Sequence, residues 1–454
     1  MTNRPTTHPP RTVPAPAWIS TPARRACAGF GLIPTPAPTH TQPIAVTDTE
    51  LETIAPPGVV LLTGPSGSGK SRLLDALAHT ARRQGRRVIG CEDPVPHAGL
   101  CVLDTLGVPT PVALDALSAA GLSEPALWTR EPHTLSVGER ARLGLAHAMA
   151  HARRGDLVVC DEFATPLDRA AAQALARTAS RWAGRAGVTL LAASAHEDLT
   201  AFLDTTAIIR VGSPGARNTH PGAVAAPILV RIEPGSIADH DALAPLHYRA
   251  GRPATVVRTL RAVRTTPDGR ELLAGVLTVS MPVLNAVWRA QAWPGRYTNA
   301  NRRDTARRLN TELRCISRVI VDPRSRGLGI ASQLVRAYLA SPLSPATEAV
   351  AAMGAVSPFF RTAGMTEYHL PRPPHDARLS DALEHAGLEP TDLIRPGFTP
   401  DPFLDHELTR WAKHAKVRPD RARTPDPLRA IAAHAAGRLA TRPRAYAHTR
   451  GDHA

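Results

Sequence analysis

Lysine is nearly absent from this chain: of its 54 lysine and arginine residues, only Lys70, Lys413 and Lys416 are lysine. Aromatic residues are scarce too, at 4%, so any core must be built mainly from Leu, Val, Ile and Ala. Five cysteines, Cys27, Cys91, Cys101, Cys160 and Cys315, stand far apart without C-x-x-C spacing, which predicts neither a disulfide framework nor a zinc site. No apolar run reaches the roughly 18 residues a membrane span needs. The first residues lack the apolar centre of a secretory signal. Together these absences predict a cytoplasmic protein with no membrane partner.

What is present is a 454-residue chain, 43% hydrophobic, with 44 prolines and a net charge of +15. It is long enough for two or three domains. Its basic excess attracts polyanions, nucleic acid among them. Residues 1–50 are rich in Pro, Thr and Ala without hydrophobic periodicity, a composition that predicts disorder. A first α/β domain is expected over 51–213, where short apolar strands alternate with Ala/Arg/Leu-rich helices. Gly- and Pro-containing residues 214–227 read as a linker. A second domain is expected over 228–371, followed by a basic, proline-broken extension over 372–454.

The isolated Lys70 stands in Gly64-Pro65-Ser66-Gly67-Ser68-Gly69-Lys70-Ser71. Val59–Leu62 supplies an apolar strand before it and Arg72–Leu77 a helix after it, the context a phosphate loop requires. Gly64, Ser66, Gly67, Ser68 and Gly69 let backbone N–H groups curl round a phosphate at a helix N-terminus. Lys70 reaches the β- and γ-phosphates as a compact charge that a planar guanidinium would match poorly. Ser71 would hold Mg²⁺. The expected ligand is ATP or GTP.

Further segments follow in order: Leu135-Ser136-Val137-Gly138-Glu139-Arg140, which starts a helix ending near His151, the apolar strand Leu157–Cys160 ending in Asp161-Glu162, Ala164–Asp168, and the strand Leu190–Ala195 ending in His196. With the phosphate loop they resemble the ABC-type ATPase cassette, with its signature loop, Walker B strand, D-loop and switch histidine. The resemblance spans the whole first domain. It implies Asp161 at the metal, Glu162 as the base for the attacking water, and His196 at the γ-phosphate. Ser136, Gly138 and the neighbouring N–H groups would close on ATP held by a second cassette, hence a head-to-tail homodimer. Two departures stand out. Val137 replaces a usual glycine, and no glutamine lies between Gln84 and Gln173, which leaves Glu92 or Asp93 as substitutes for the Q-loop residue.

In the second domain, the strand Arg318–Val321 runs through Asp322-Pro323 into Arg324-Ser325-Arg326-Gly327-Leu328-Gly329-Ile330-Ala331 and a helix to Leu339. Arg324-x-x-Gly327-x-Gly329 resembles the pyrophosphate loop of GNAT acetyltransferases. Glu348–Gly354 followed by Ser357–Met365 is similar to that family's fifth strand and next helix. The resemblance implies an α+β GNAT-like fold that binds acetyl-CoA or another acyl-CoA. Val319, Val321, Arg324, Arg326, Gly327, Gly329 and Ala331 would contact the cofactor. Phe360 stands where many members keep a tyrosine acid; Tyr368 is the expected replacement, with Ser357 behind it. His247 and Tyr248 are further catalytic candidates.

Arg296-Tyr297 through Arg307-Arg308 joins an aromatic to five arginines, a pattern able to hold phosphates and stack a base. Cys315–Arg324 and Phe359–Met365 are also similar to Mom-type phage DNA-modification proteins, GNAT-like enzymes that act on adenine. The combined expectation is an ATP-dependent acyltransferase acting on a nucleic-acid base, DNA adenine first and RNA second. Trp411 and Tyr446 among basic residues would add phosphate contacts. The alternatives are an ATP-gated N-acetyltransferase of a small amine or protein, and the ATP-binding subunit of an ABC transporter.

Overall fold

The computed structural model describes residues 11–15, 19–29, 32–36, 44–91, 99–212, 216–247, 251–297, 301–352, 354, 357–417, 426–440 and 443–451. Near the N-terminus, β1 (Arg11–Ala15) and β2 (Leu32–Pro36) pair in parallel, with the helix Thr21–Gly29 between them. For the described residues of 11–36 this corrects the expectation of disorder, because two short strands on either side of a helix satisfy each other locally. A capping box at Thr47 then opens the helix Asp48–Thr53, whose buried Glu50 pairs with Arg217.

The first domain is a sheet of six strands: β3 (Gly58–Thr63), β4 (Val88–Gly90), β5 (Leu157–Cys160), β6 (Thr189–Ser194), β7 (Ala207–Val211) and β8 (Arg217–Pro221). Their spatial order is β4-β5-β6-β3-β7-β8, all parallel except β8. The apolar strands are buried on both faces, as parallel strands must be. Val59, Leu61, Val158 and Leu190 enter one core, with the helices Val137–His151 and Arg169–Ala186. Val60, Leu62, Leu157 and Leu191 enter the other, beneath Leu73 and Leu77 of the helix Lys70–Arg83. The predicted linker 214–227 is therefore not a free connection: Arg217–Pro221 is an edge strand of this sheet, antiparallel to β7.

The second domain is a seven-stranded sheet of β9 (Val230–Pro234), β10 (Val256–Thr265), β11 (Glu271–Ser280), β12 (Leu313–Val321), β13 (Ala346–Ala351), β14 (Thr366–His369) and β15 (Arg444–Thr449). The order is β14-β15-β13-β12-β11-β10-β9. Only β12 and β13 are parallel, and they stay paired just from Leu313↔Ala346 to Ile316↔Ala349. Beyond that point the strands part. Against β11, the register of β12 skips Ser317, passing from Thr278↔Arg318 to Val279↔Ile316, which makes Ser317 the extra residue of a bulge.

The boundary at 371 is also corrected. β15 comes from the far end of the chain, yet lies between β13 and β14. Between them in the chain, the described residues of 374–417 and 426–440 form helices around Leu379, Leu404, Leu408 and Trp411. The prolines there do not break structure. Pro374, Pro390 and Pro402 stand in first turns, where a missing N–H costs nothing.

Buried inside the second domain, Arg289 and Glu348 form a two-pronged pair at 2.6 and 2.8 Å, with side chains 2% and 4% exposed. Removing one partner strands the other charge out of water. Glu348→Gln should therefore lower stability by about 3–5 kcal/mol, while a paired Arg289→Met, Glu348→Leu change should cost much less. Denaturant unfolding of the two variants checks this; equal losses would contradict it.

Candidate functional site

Parallel strands that start together also end together, so the C-terminal ends of β3, β5 and β6 lie side by side and their loops share one edge. At the end of β3, an added side-chain carbon on Gly64 would sit 2.1 Å from the Val211 carbonyl oxygen, so only glycine fits. Gly67 and Gly69 have φ of 78° and 96°, with nothing within 4 Å of where a Cβ would stand. The helix from Lys70 starts without a side-chain cap, leaving its first N–H groups facing outward. Lys70 Nζ donates to the carbonyls of Gly64 and Pro65, both at 2.9 Å. Ser68 Oγ is buried without a partner. Open glycines, an uncapped helix and an orphan hydroxyl fit a polyphosphate, and Ser66 on the loop and Ser71 in the helix's first turn stand exposed.

At the end of β5, Asp161 and Glu162 are exposed, and Asp161 Oδ1 accepts from the Glu162 N–H at 2.9 Å. Glu162 has φ 49° and Ala164 φ 59°, two of the four non-glycine residues with positive φ among those described. Such a backbone costs of order 1–3 kcal/mol and clusters at functional sites. Phe163, fully buried, pins the turn through its N–H to the Ala193 carbonyl of β6. His196 caps the next turn at the end of β6, half-buried. Ser71 and Asp161 would hold Mg²⁺.

The signature segment begins a helix as expected. Ser136 and Glu139 form a capping box. Burial and the opposing pull of the Ser136 hydrogen bonds leave the Glu139 carboxyl below its ordinary range. Gly138 packs so tightly on Pro166 and Leu167 that a Cβ would stand 2.9 Å from Leu167 Cδ2; signature and D-loop thus touch. Val137 is 62% exposed. The proposed Q-loop substitutes Glu92 and Asp93, like Tyr248, lie outside the described residues.

The second-domain loop is present but engaged. Arg324 is held by Asp322 through two bonds, and Arg326 by Glu124 of the first domain at 3.2 Å. The Gly327 carbonyl accepts from Arg181, and a Cβ on Gly327 would meet Thr178 Cγ2 at 2.1 Å. The arginines expected to bind cofactor are thus spent on the fold. Gly329, with φ 77°, remains open and begins the helix Ile330–Ala340 without a side-chain cap, next to Ala331. Val319 and Val321 pack against the core beneath it. A phosphate group fits the Gly329–Ala331 side of the loop and not the Gly327 side.

Other expectations are corrected by burial. Tyr297 is 6% exposed and stacks edge-on with Trp293; it is core, not a base platform. Trp411 and Tyr446, at 2% and 0%, are core as well: Trp411 donates to Asp376, and Tyr446 lies against Phe360. Tyr368 is half-buried beside Trp288, 6.1 Å between rings. His247, also half-buried, follows the turn Ala244–Leu246. Neither is brought near Gly329 by any contact described.

Sequence reasoning missed the polar group at the bulge. Ser317 Oγ lies 2.8 Å from Ser280 Oγ and 3.1 Å from Thr278 Oγ1. Cys315 neighbours Glu348 across the β12–β13 pairing; burial, then the Glu348 charge, push its thiol up to about 12. The one-residue register skip against β11, invisible in the sequence, accompanies the Ser317, Ser280 and Thr278 cluster.

No family model matches the chain. Among curated proteins it is similar to the cytochrome c biogenesis ATP-binding export protein CcmA of Ruegeria pomeroyi, 31% identical over 163 residues, 32% of this chain and 76% of that protein. The CcmA of Rhodospirillum rubrum is 33% identical over 171 residues, 32% of this chain and 72% of that protein. Among solved structures, the dimeric bacterial ABC transporter cassette MJ0796 aligns over 37% of this chain and 87% of its own, at 17% identity and a TM-score of 0.32.

Two outcomes follow from the geometry. Lys70→Ala should weaken ATP binding about 10- to 100-fold, the worth of a charge-assisted bond, as read by nucleotide titration. With its thiol raised, Cys315 should stay unalkylated at neutral pH in the folded chain and react only on unfolding or in strong alkali; mass spectrometry after native iodoacetamide treatment reads this directly.

Proposed function

We propose, from a chain that belongs through its first domain to the ABC-type ATP-binding cassettes, that ATP binding and hydrolysis drive a fused acyltransferase-like domain. The cassette binds ATP and is an ATP hydrolase by family; the coupling to the second domain is our reading. The carrying observation is the shared edge where the phosphate loop, Asp161-Glu162 and His196 end adjacent strands, with Glu162 held in a strained backbone. There Glu162 takes the proton of the attacking water, and His196 faces the terminal phosphate. Ser136 and Gly138 supply the second half of a site completed by another copy.

Support for the acyltransferase reading is the order of elements in the second domain, the bulge at Ser317 and the helix begun by Gly329. When bound, an acyl-CoA would supply the activated acyl group for an amine acceptor. Exposed Arg302, Arg303 and Arg307 on the helix Arg302–Glu312 support a polyanionic acceptor, with a nucleic-acid amine favoured and DNA adenine first by the Mom-type resemblance. The curated relatives favour a second reading, an ATPase subunit serving an export system, since both are export proteins. Among the described residues no helix is long and apolar enough to cross a membrane, so that reading requires a separate membrane partner.

Two experiments separate these readings. Glu162→Gln should cut ATP hydrolysis about a hundredfold or more while trapping an ATP-dependent dimer, seen by light scattering; retained hydrolysis would remove Glu162 as the base. Calorimetric titration of the full chain with coenzyme A should show binding that Gly329→Glu abolishes and Lys70→Ala spares. Absence of any coenzyme A heat would retire the acyltransferase reading and leave the export ATPase.

A further inference from the structure

Arg264 is fully buried and sits on β10 of the second domain, yet half its bonds are made to the first. It donates to the Arg324 carbonyl and Ser325 Oγ within its own domain, at 3.0 and 3.2 Å. Across the junction it donates to the Ala170 carbonyl at 3.0 Å and to Gln173 Oε1. Both acceptors lie in the helix Arg169–Ala186, which Asp168 of the D-loop caps. That helix also touches Gly327 through Arg181 and Thr178.

The same second-domain loop reaches a different part of the cassette. Arg326 pairs with Glu124, the cap of the short helix Pro125–Trp128 in the helical segment between phosphate loop and signature. Arg142 of the signature helix stands in the field of both Glu124 and Asp168. Loop 322–329 is therefore held to the helix behind the D-loop on both sides of Arg326, through Arg264 and at Gly327, and by Arg326 itself to the helical segment that leads to the signature. A strut attached to two bodies fixes the angle between them. Any ligand that needs another angle must release one attachment.

We propose that loop 322–329 is a nucleotide-responsive linkage, held by Arg264 to the helix Arg169–Ala186 and by Arg326 to the cap of the helix Pro125–Trp128, and loosened when ATP binds. The inference rests on the nucleotide reading above but not on the acyltransferase one. Coupling between sites is reciprocal, so releasing the strut must favour ATP as ATP favours its release.

The test is hydrogen–deuterium exchange on the full-length Glu162→Gln chain with and without Mg-ATP. Peptides over 64–71 should slow, and peptides over 324–333 should exchange about fivefold faster or more, the low end of coupling energies. Slower 64–71 with unchanged or slower 324–333 overturns the linkage. Unchanged exchange at both overturns the nucleotide reading and the linkage with it. As a second measurement, Arg326→Gln should bind Mg-ATP about fivefold tighter with its melting transition intact. Unaltered ATP affinity in a folded Arg326→Gln chain would also sink the proposal.

Discussion

A guanidinium taken out of water keeps five N–H groups that still require oxygen; the two terminal nitrogens of Arg264 find four oxygens in the two domains, while its Nε–H stays buried without a partner. All four acceptors are uncharged; Asp168 and Asp322 act only through their fields, against a burial that lowers its pKa. Neither domain alone completes the set. The mutual placement of the domains follows from this, and so does the fate of the loop beside it. Arg324 and Arg326 are drawn to Asp322 and Glu124, and Gly327 is left with room for Thr178 and little else.

The chain builds the same local device twice. A strand runs into glycines with positive φ, and a helix begins uncapped at Lys70 and again at Ile330. Both devices expose N–H groups where an anion is welcome. They differ in what surrounds them. The first keeps a lysine held only by two loop carbonyls, with Gly67 and Gly69 open, at a sheet edge. The second is partly covered by the first domain, so its availability depends on the contact between domains.

Much of the first domain was legible because its signals are local. The span of the signature helix, Val137–His151, and the apolar strands ending in Asp161 and His196 follow from periodicity and caps, which act over a few residues. Buried aromatics were misread for the converse reason. Tyr297, Trp411 and Tyr446 sit among arginines in sequence, yet their rings are buried, with Arg296 and Arg438 lying over the first two. Neighbourhood along the chain says nothing of that. The prolines of 374–440 misled in the same way, since a helix-starting proline and a helix-breaking one look alike without the helix.

The sequence by itself determined the glycine loop before Lys70, Asp161-Glu162 and His196 at the ends of apolar strands, and the glycine turn at 327–329, because each is a short run whose backbone needs are met by its own residue types. Tertiary structure alone decided that β15 closes the second sheet from over seventy residues beyond β14, and that Ser317 bulges toward Ser280 and Thr278. It alone decided that Arg264 binds two domains at once. These depend on strand pairing and burial between distant segments, where the partner, not the residue, carries the information.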